Sequence, residues 1–111
     1  MSEPSFAAQL AEDLSPEDLV LVLGVFRTDV ERLTGSLDAA AAASDEASFR
    51  RAAHGLAGAA GAVGAAALER ACRQAMAGGD TLASALAEIR GTAVVAVAAL
   101  DALLARLGSH A

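Results

Sequence analysis

Between Leu19 and Leu37 the large apolar residues recur every three or four positions: Leu19, Val22, Leu23, Phe26, Val30, Leu33 and Leu37. That is the period of a helix with one buried face. The stretch opens on Ser15-Pro16-Glu17-Asp18, where a serine caps, a proline suits the first turn and two carboxylates face the positive end of the helix dipole. A helix over 16–42 follows. Ser44-Asp45 caps a second, which carries Phe49, Ala52, Ala53, Leu56, Ala60 and Val63 on one side and breaks at Gly64. A third spans 65–76 and stops at Gly78-Gly79. Asp80 or Thr81 then caps a long last helix bearing Leu82, Leu86, Ile89, Val94, Val97, Leu100, Leu104 and Leu107, with Gly108 as its terminator. Ahead of all these, Phe6, Leu10 and Leu14 stand four apart and predict a short helix over about 3–13.

Composition agrees with helices alone. Aromatic residues make up 3% of the chain, Trp and Tyr are absent, and Pro occurs only at positions 4 and 16. Alanine, the best helix former, supplies much of the 55% apolar fraction. The expected fold is all-α: an antiparallel up-down-up-down four-helix bundle over about 16–107, with the short N-terminal helix beside it. At 111 residues the chain is expected to be one domain, 1–111.

A mean hydropathy of +0.46 raises the question of a membrane. The longest uncharged run, 52–68, is mostly Ala and Gly and contains His54. A spanning helix needs about 20 strongly apolar residues, so no membrane span is expected. Met-Ser-Glu-Pro begins the chain without a basic region leading into an apolar one, so no signal peptide is expected and the protein should be cytoplasmic. The net charge is −6 and every basic residue is Arg, which argues against nucleic-acid binding. One cysteine, Cys72, excludes an intrachain disulfide. With two histidines, one of them at the terminus (His110), a structural metal site is not expected.

His54 stands apart from this packing logic. At about 100° per residue from Phe49, the core positions of its helix fall within about 60°, whereas His54 lies near 140°, with Arg50 near 100°, Gly61 near 120°, Gly58 near 180° and Arg51 near 200°. The histidine therefore points to solvent, among glycines and beside two arginines. An exposed helical histidine is by default a solvated surface residue. The glycines argue otherwise, because each one inside a helix loses about 0.5–1 kcal/mol relative to Ala, and here Gly55, Gly58 and Gly61 share one helix. Close packing suits Gly64 and Gly55, but not the outward Gly58.

An exposed imidazole can act as general base, metal ligand or nucleophile. A base needs a cleft, which one convex helix face does not offer, and no Asp, Glu or Cys stands one turn from His54 to complete a metal site. A nucleophile toward a phosphoryl group on another protein needs only access and nearby positive charge. Arg50, one turn earlier, could supply that charge, or could simply pair with Glu46.

The residues His54-Gly55-Leu56-Ala57-Gly58, then Gly64-Ala65, then Leu68 and Cys72 resemble the histidine-containing phosphotransfer (HPt) family of bacterial phosphorelays. Its pattern reads His-x-Leu-Lys-Gly, Gly-Ala some ten residues after the His, and Leu and Cys on the next helix. The resemblance implies a four-helix bundle in which His54 takes a phosphoryl group from an aspartate in the receiver domain of a hybrid histidine kinase. It would pass that group to an aspartate in the receiver domain of a response regulator. It implies that Gly55, Gly58 and Gly61 face the docked receiver, that the chain needs no cofactor of its own, magnesium belonging to the receiver, and that Leu56, Leu68 and Cys72 are core residues. The family lysine is Ala57 here, so position 57 brings no charge to the phosphoryl environment. Arg50, Arg51 or Arg73 would compensate, and on this view Arg50→Ala slows transfer without disturbing the fold.

Two other readings compete. A helical docking module could bind a receiver or a partner helix through Gly58 and Gly61, with His54 incidental. A structural bundle could dimerise through Val94, Val95 and Val97; a monomer is expected instead, on the view that the bundle uses those valines internally. An ATP-using kinase is excluded, since no room remains for a nucleotide-binding domain. Residues 58–64 are not a phosphate loop either, lacking a Gly-Lys-Ser/Thr ending and a preceding strand.

Overall fold

A computed structural model describes residues 5–108. Five helices follow in order: α1 Ser5–Asp13, α2 Pro16–Ala42, α3 Glu46–Val63, α4 Ala66–Ala77 and α5 Leu82–Gly108. Glu3, Pro4 and His110, and the side chains of Phe6 and Leu107, lie outside the described residues.

The helix boundaries are set by local chemistry. Ser15 is extended and its hydroxyl oxygen accepts from the Asp18 N–H at 3.2 Å, with Pro16 in the first turn. Ser44 and Asp45 divide the work expected of them jointly. Ser44 sits at φ 55° and ends α2, the Asp45 N–H bonding back to the Ala40 carbonyl at 2.9 Å. Asp45 alone caps α3, accepting from the Ser48 N–H at 3.1 Å and the Ser48 hydroxyl at 2.7 Å. Gly64 closes α3 at φ 81°, a left-handed conformation that a side chain resists, as the expected break requires. Thr81, not Asp80, caps α5, its hydroxyl accepting from the Ser84 N–H at 3.0 Å.

Helices α2 to α5 form a closed ring in which α2 packs on α3 and α5, and α4 packs on α3 and α5. Pairings show the antiparallel sense directly. Arg27 pairs with Asp101 while Asp38 pairs with Arg90 at 2.9 Å, so residue numbers fall along α5 as they rise along α2. These pairs are half exposed and each contributes about 0–1 kcal/mol. Stability comes from the interior, where the buried residues described are all apolar, among them Leu19, Leu23, Phe26, Leu37, Phe49, Leu56, Leu68 and Ile89. Helix α1 lies beside the C-terminal end of α3, with Gln9, Leu10 and Asp13 facing Gly61 to Gly64.

Helix α5 departs from expectation. Its buried stripe is Ala85, Ile89, Ala93, Ala96, Leu100 and Leu103. Val94, about 140° around the helix from Ile89, is 68% exposed, and Val95 is 53% exposed. Only Val97 is half-buried against the core. The bundle does not use Val94 and Val95 internally, so that ground for expecting a monomer falls. Among the described residues, Leu82–Arg106 rather than 52–68 is the segment long and apolar enough to cross a membrane by length and composition, with a mean hydropathy of 1.5. In the bundle its apolar stripe is seated against α2 and α4.

Candidate functional site

Helix α3 carries the site because its two sides have different duties. Phe49, Ala52, Ala53, Leu56, Ala60 and Val63 are buried as the helical period requires. His54 is exposed on the opposite side, and it makes no hydrogen bond or ion pair among the described residues. Ala53 and Leu56 are sealed in the core on either side of it, so a helix held rigidly from beneath presents an unobstructed imidazole.

The three glycines expected around the docked partner separate into three situations. A Cβ at Gly58 would meet nothing within 4 Å, which leaves the surface one turn beyond His54 low and open. At Gly55 a Cβ would touch the Leu33 side chain at 3.4 Å, so that glycine borders α2. At Gly61 it would stand 3.3 Å from the Glu69 carboxylate, tighter than ordinary contact. Gly61 therefore makes room for Glu69 of α4.

The candidate cations separate as well. Arg50 donates from Nη1 to the Met76 carbonyl at 2.8 Å, capping the last turn of α4; it pairs with neither Glu46 nor anything at the His54 face. Arg73 donates from Nε and Nη2 to Oε2 of Glu69, at 3.1 and 2.6 Å. Arg51 is exposed and has no hydrogen-bond or ion-pair partner within contact distance among the described residues. Ala57 is only 5% exposed and belongs to the core, so it contributes neither charge nor surface beside His54.

Two titratable groups respond to these surroundings. The Asp45 carboxyl is held below its ordinary value, first by the Ser48 hydroxyl and then by the Ser48 N–H, with the Arg51 charge adding to them. Burial pushes the Cys72 thiol up to about 11, and the Glu69 charge adds to this. Cys72 is thus a buried small hydrophobe with no thiolate character near neutral pH.

One feature beside the site was missed in the sequence. Leu21, Val22, Val25 and Phe26 of α2 face Ala59, Ala62 and Val63 of α3 across a groove of about 280 Å³, with Asp29 at its rim. Leu21 is 68% and Val25 62% exposed. Their four-residue spacing off the buried stripe was the available signal. The groove begins at Ala59, five residues beyond His54 and about 140° around α3 from it, on the α2 side.

The site thus offers an accessible imidazole, an open surface at Gly58, one uncommitted guanidinium on the same helix and an apolar groove on its α2 side. The family model of the Hpt domain matches residues 21–110. No curated protein and no solved structure matches the chain. With four-fifths of its length matched and the all-helical bundle in place, the chain belongs to the Hpt domain family, whose members carry phosphoryl groups in phosphorelays.

Proposed function

We propose that His54 is the phosphoryl carrier of this protein, in a bacterial, cytoplasmic phosphorelay. It accepts the group from an aspartate in the receiver domain of a hybrid histidine kinase and delivers it to an aspartate in a response regulator's receiver domain. The observation that carries this reading is the exposed His54 on a core-anchored helix with open space at Gly58. In the step itself the lone pair of one imidazole nitrogen forms the N–P bond. The P–O bond to the aspartyl carboxylate breaks, its electron pair returning to the carboxylate, while the other ring nitrogen holds its proton. Delivery is the reverse on a second carboxylate. Magnesium enters with the receiver, and the chain's own part is to present the nucleophile and a docking face.

The α2–α3 groove suits that face. Leu21 and Val25 place exposed apolar area on the α2 side of α3, towards its C-terminal half, and such area stabilises a transient contact. Incubation with a phosphorylated receiver tests the reading: label should reach the wild type and not His54→Gln, and Leu21→Ser should weaken receiver binding while labelling by a small donor persists. Receiver binding by both proteins with label on neither would make the protein a docking module instead.

A further inference from the structure

A phosphoryl group on His54 brings a charge of about −2, and position 57, where the family pattern has lysine, is a buried alanine. Some other group must meet that charge. Of the three arginines named as candidates, the fold has already committed two. Arg50 is held at the end of α4 by the Met76 carbonyl, and Arg73 is held by both its Nε and Nη2 against Glu69, over Gly61.

Arg51 is the one left on the exposed face of α3. It lies three residues before His54, a spacing that makes two helical side chains neighbours. Direction matters as well, since side chains on a helix lean toward its N-terminus and cover the preceding turn. By that rule the imidazole of His54 covers the turn that carries Arg51 rather than Gly58, and the long Arg51 side chain has to turn back from its own N-terminal lean to meet it. A phosphoryl group extending from the ring comes to that turn, where a planar guanidinium can donate two parallel hydrogen bonds to its oxygens. The group that faces Arg51 in the resting protein is Asp45, an exposed carboxylate already engaged by Ser48, which is a weak competitor for a doubly charged group.

We propose that Arg51 is the phosphoryl-binding residue of this protein, holding the group on His54 from the N-terminal side. The assignment rests on His54 being the carrier. It leaves the surface at Gly58 itself open, with the Glu69–Arg73 pair beyond it over Gly61.

Phosphoramidate separates this proposal from that reading, because it labels histidine with no receiver present. His54 forms the N–P bond while the donor's P–N bond breaks and ammonia leaves with the electron pair. Wild type, Arg51→Ala, Arg51→Lys, Arg50→Ala and Arg73→Ala are compared for labelling rate and for the lifetime of phospho-His54, with helicity as a check on folding. Arg51→Ala should label about tenfold more slowly and lose its phosphoryl group correspondingly faster, the range that one charge-assisted contact supplies. Arg51→Lys should recover most of the loss, and Arg50→Ala and Arg73→Ala should stay within about twofold of wild type. A wild type that labels, with Arg51→Ala indistinguishable from it or Arg73→Ala showing the large effect, overturns this proposal alone. A wild type that takes no label from phosphoramidate or from a phosphorylated receiver overturns both.

Discussion

Arg50 of α3 closes the last turn of α4 by donating to the carbonyl of Met76 at 2.8 Å. The residue one turn before His54 is thereby a structural clamp between two helices. Arg50→Ala should lower stability by about 1 kcal/mol, the net worth of one such hydrogen bond, as read from urea unfolding. Its phosphoryl labelling should stay close to wild type. A variant of unchanged stability that labels slowly would return Arg50 to the site.

The glycines of α3 predict opposite responses to the same methyl group. Gly58→Ala meets nothing within 4 Å and should raise stability by about 0.5–1 kcal/mol through helix propensity. Gly61→Ala must push the Glu69 carboxylate from 3.3 Å, so its gain should be smaller, and the Arg73 pairing should shift with it. Denaturation of the two variants side by side makes the comparison. A bulky Gly58→Trp should keep the fold and its labelling by phosphoramidate, yet slow transfer from a receiver at least about tenfold by blocking approach.

Gly64 is required for a different reason. Its φ of 81° is one that a Cβ resists, at about 1–2 kcal/mol. Gly64→Ala should lose that much stability in chemical denaturation, where Gly58→Ala gains. Equal effects at the two positions would contradict the left-handed ending of α3.

Cys72 predicts a decline of stability in alkali. Its thiol is pushed from an ordinary 9.0 up to about 11 in the folded protein, so between those values the unfolded chain has released a proton that the folded chain keeps. Stability from this source is complete below about pH 9 and is lost as pH rises toward 11, on the order of 2–3 kcal/mol in all. The chain contains no Lys and no Tyr, so few other groups titrate in that window. Cys72→Ala should show a flatter profile from pH 8 to 11; parallel profiles would mean that the thiol titrates alike in both states.

What could be read along the chain was whatever depends on near neighbours. The period of Leu19 to Leu37 located the buried face of α2, and the caps at Ser15 and Asp45 and the glycines at 64 and 78 marked its helix ends, because each is a contact within one turn. The same angular argument put His54 opposite Phe49, on the exposed side where the structure has it. On α5 the expected Ile89 and Leu100 are buried and Leu82, Leu86, Val97 and Leu104 pack against the core, but alanines at 85, 93 and 96 complete the interior while Val94 and Val95 face out. A stripe of small residues gives the eye little contrast, and only the approach of α2 and α4 chooses between it and the valines.

The commitment of Arg50 was beyond that reach, whereas Arg73 and its partner Glu69 stand four apart on one helix. Arg50 meets a backbone carbonyl 26 residues away, and Glu69 comes to rest over Gly61 only because α4 returns antiparallel to α3. The groove at Leu21, Val25 and Ala62 likewise exists only between two helices. The sequence by itself determined five helices, their ends and the histidine they expose, because those follow from periodicity and local hydrogen bonding. Tertiary packing decided that Arg50 is drawn to the Met76 carbonyl and that a groove opens between α2 and α3, because which acceptors and surfaces come together depends on how the helices meet.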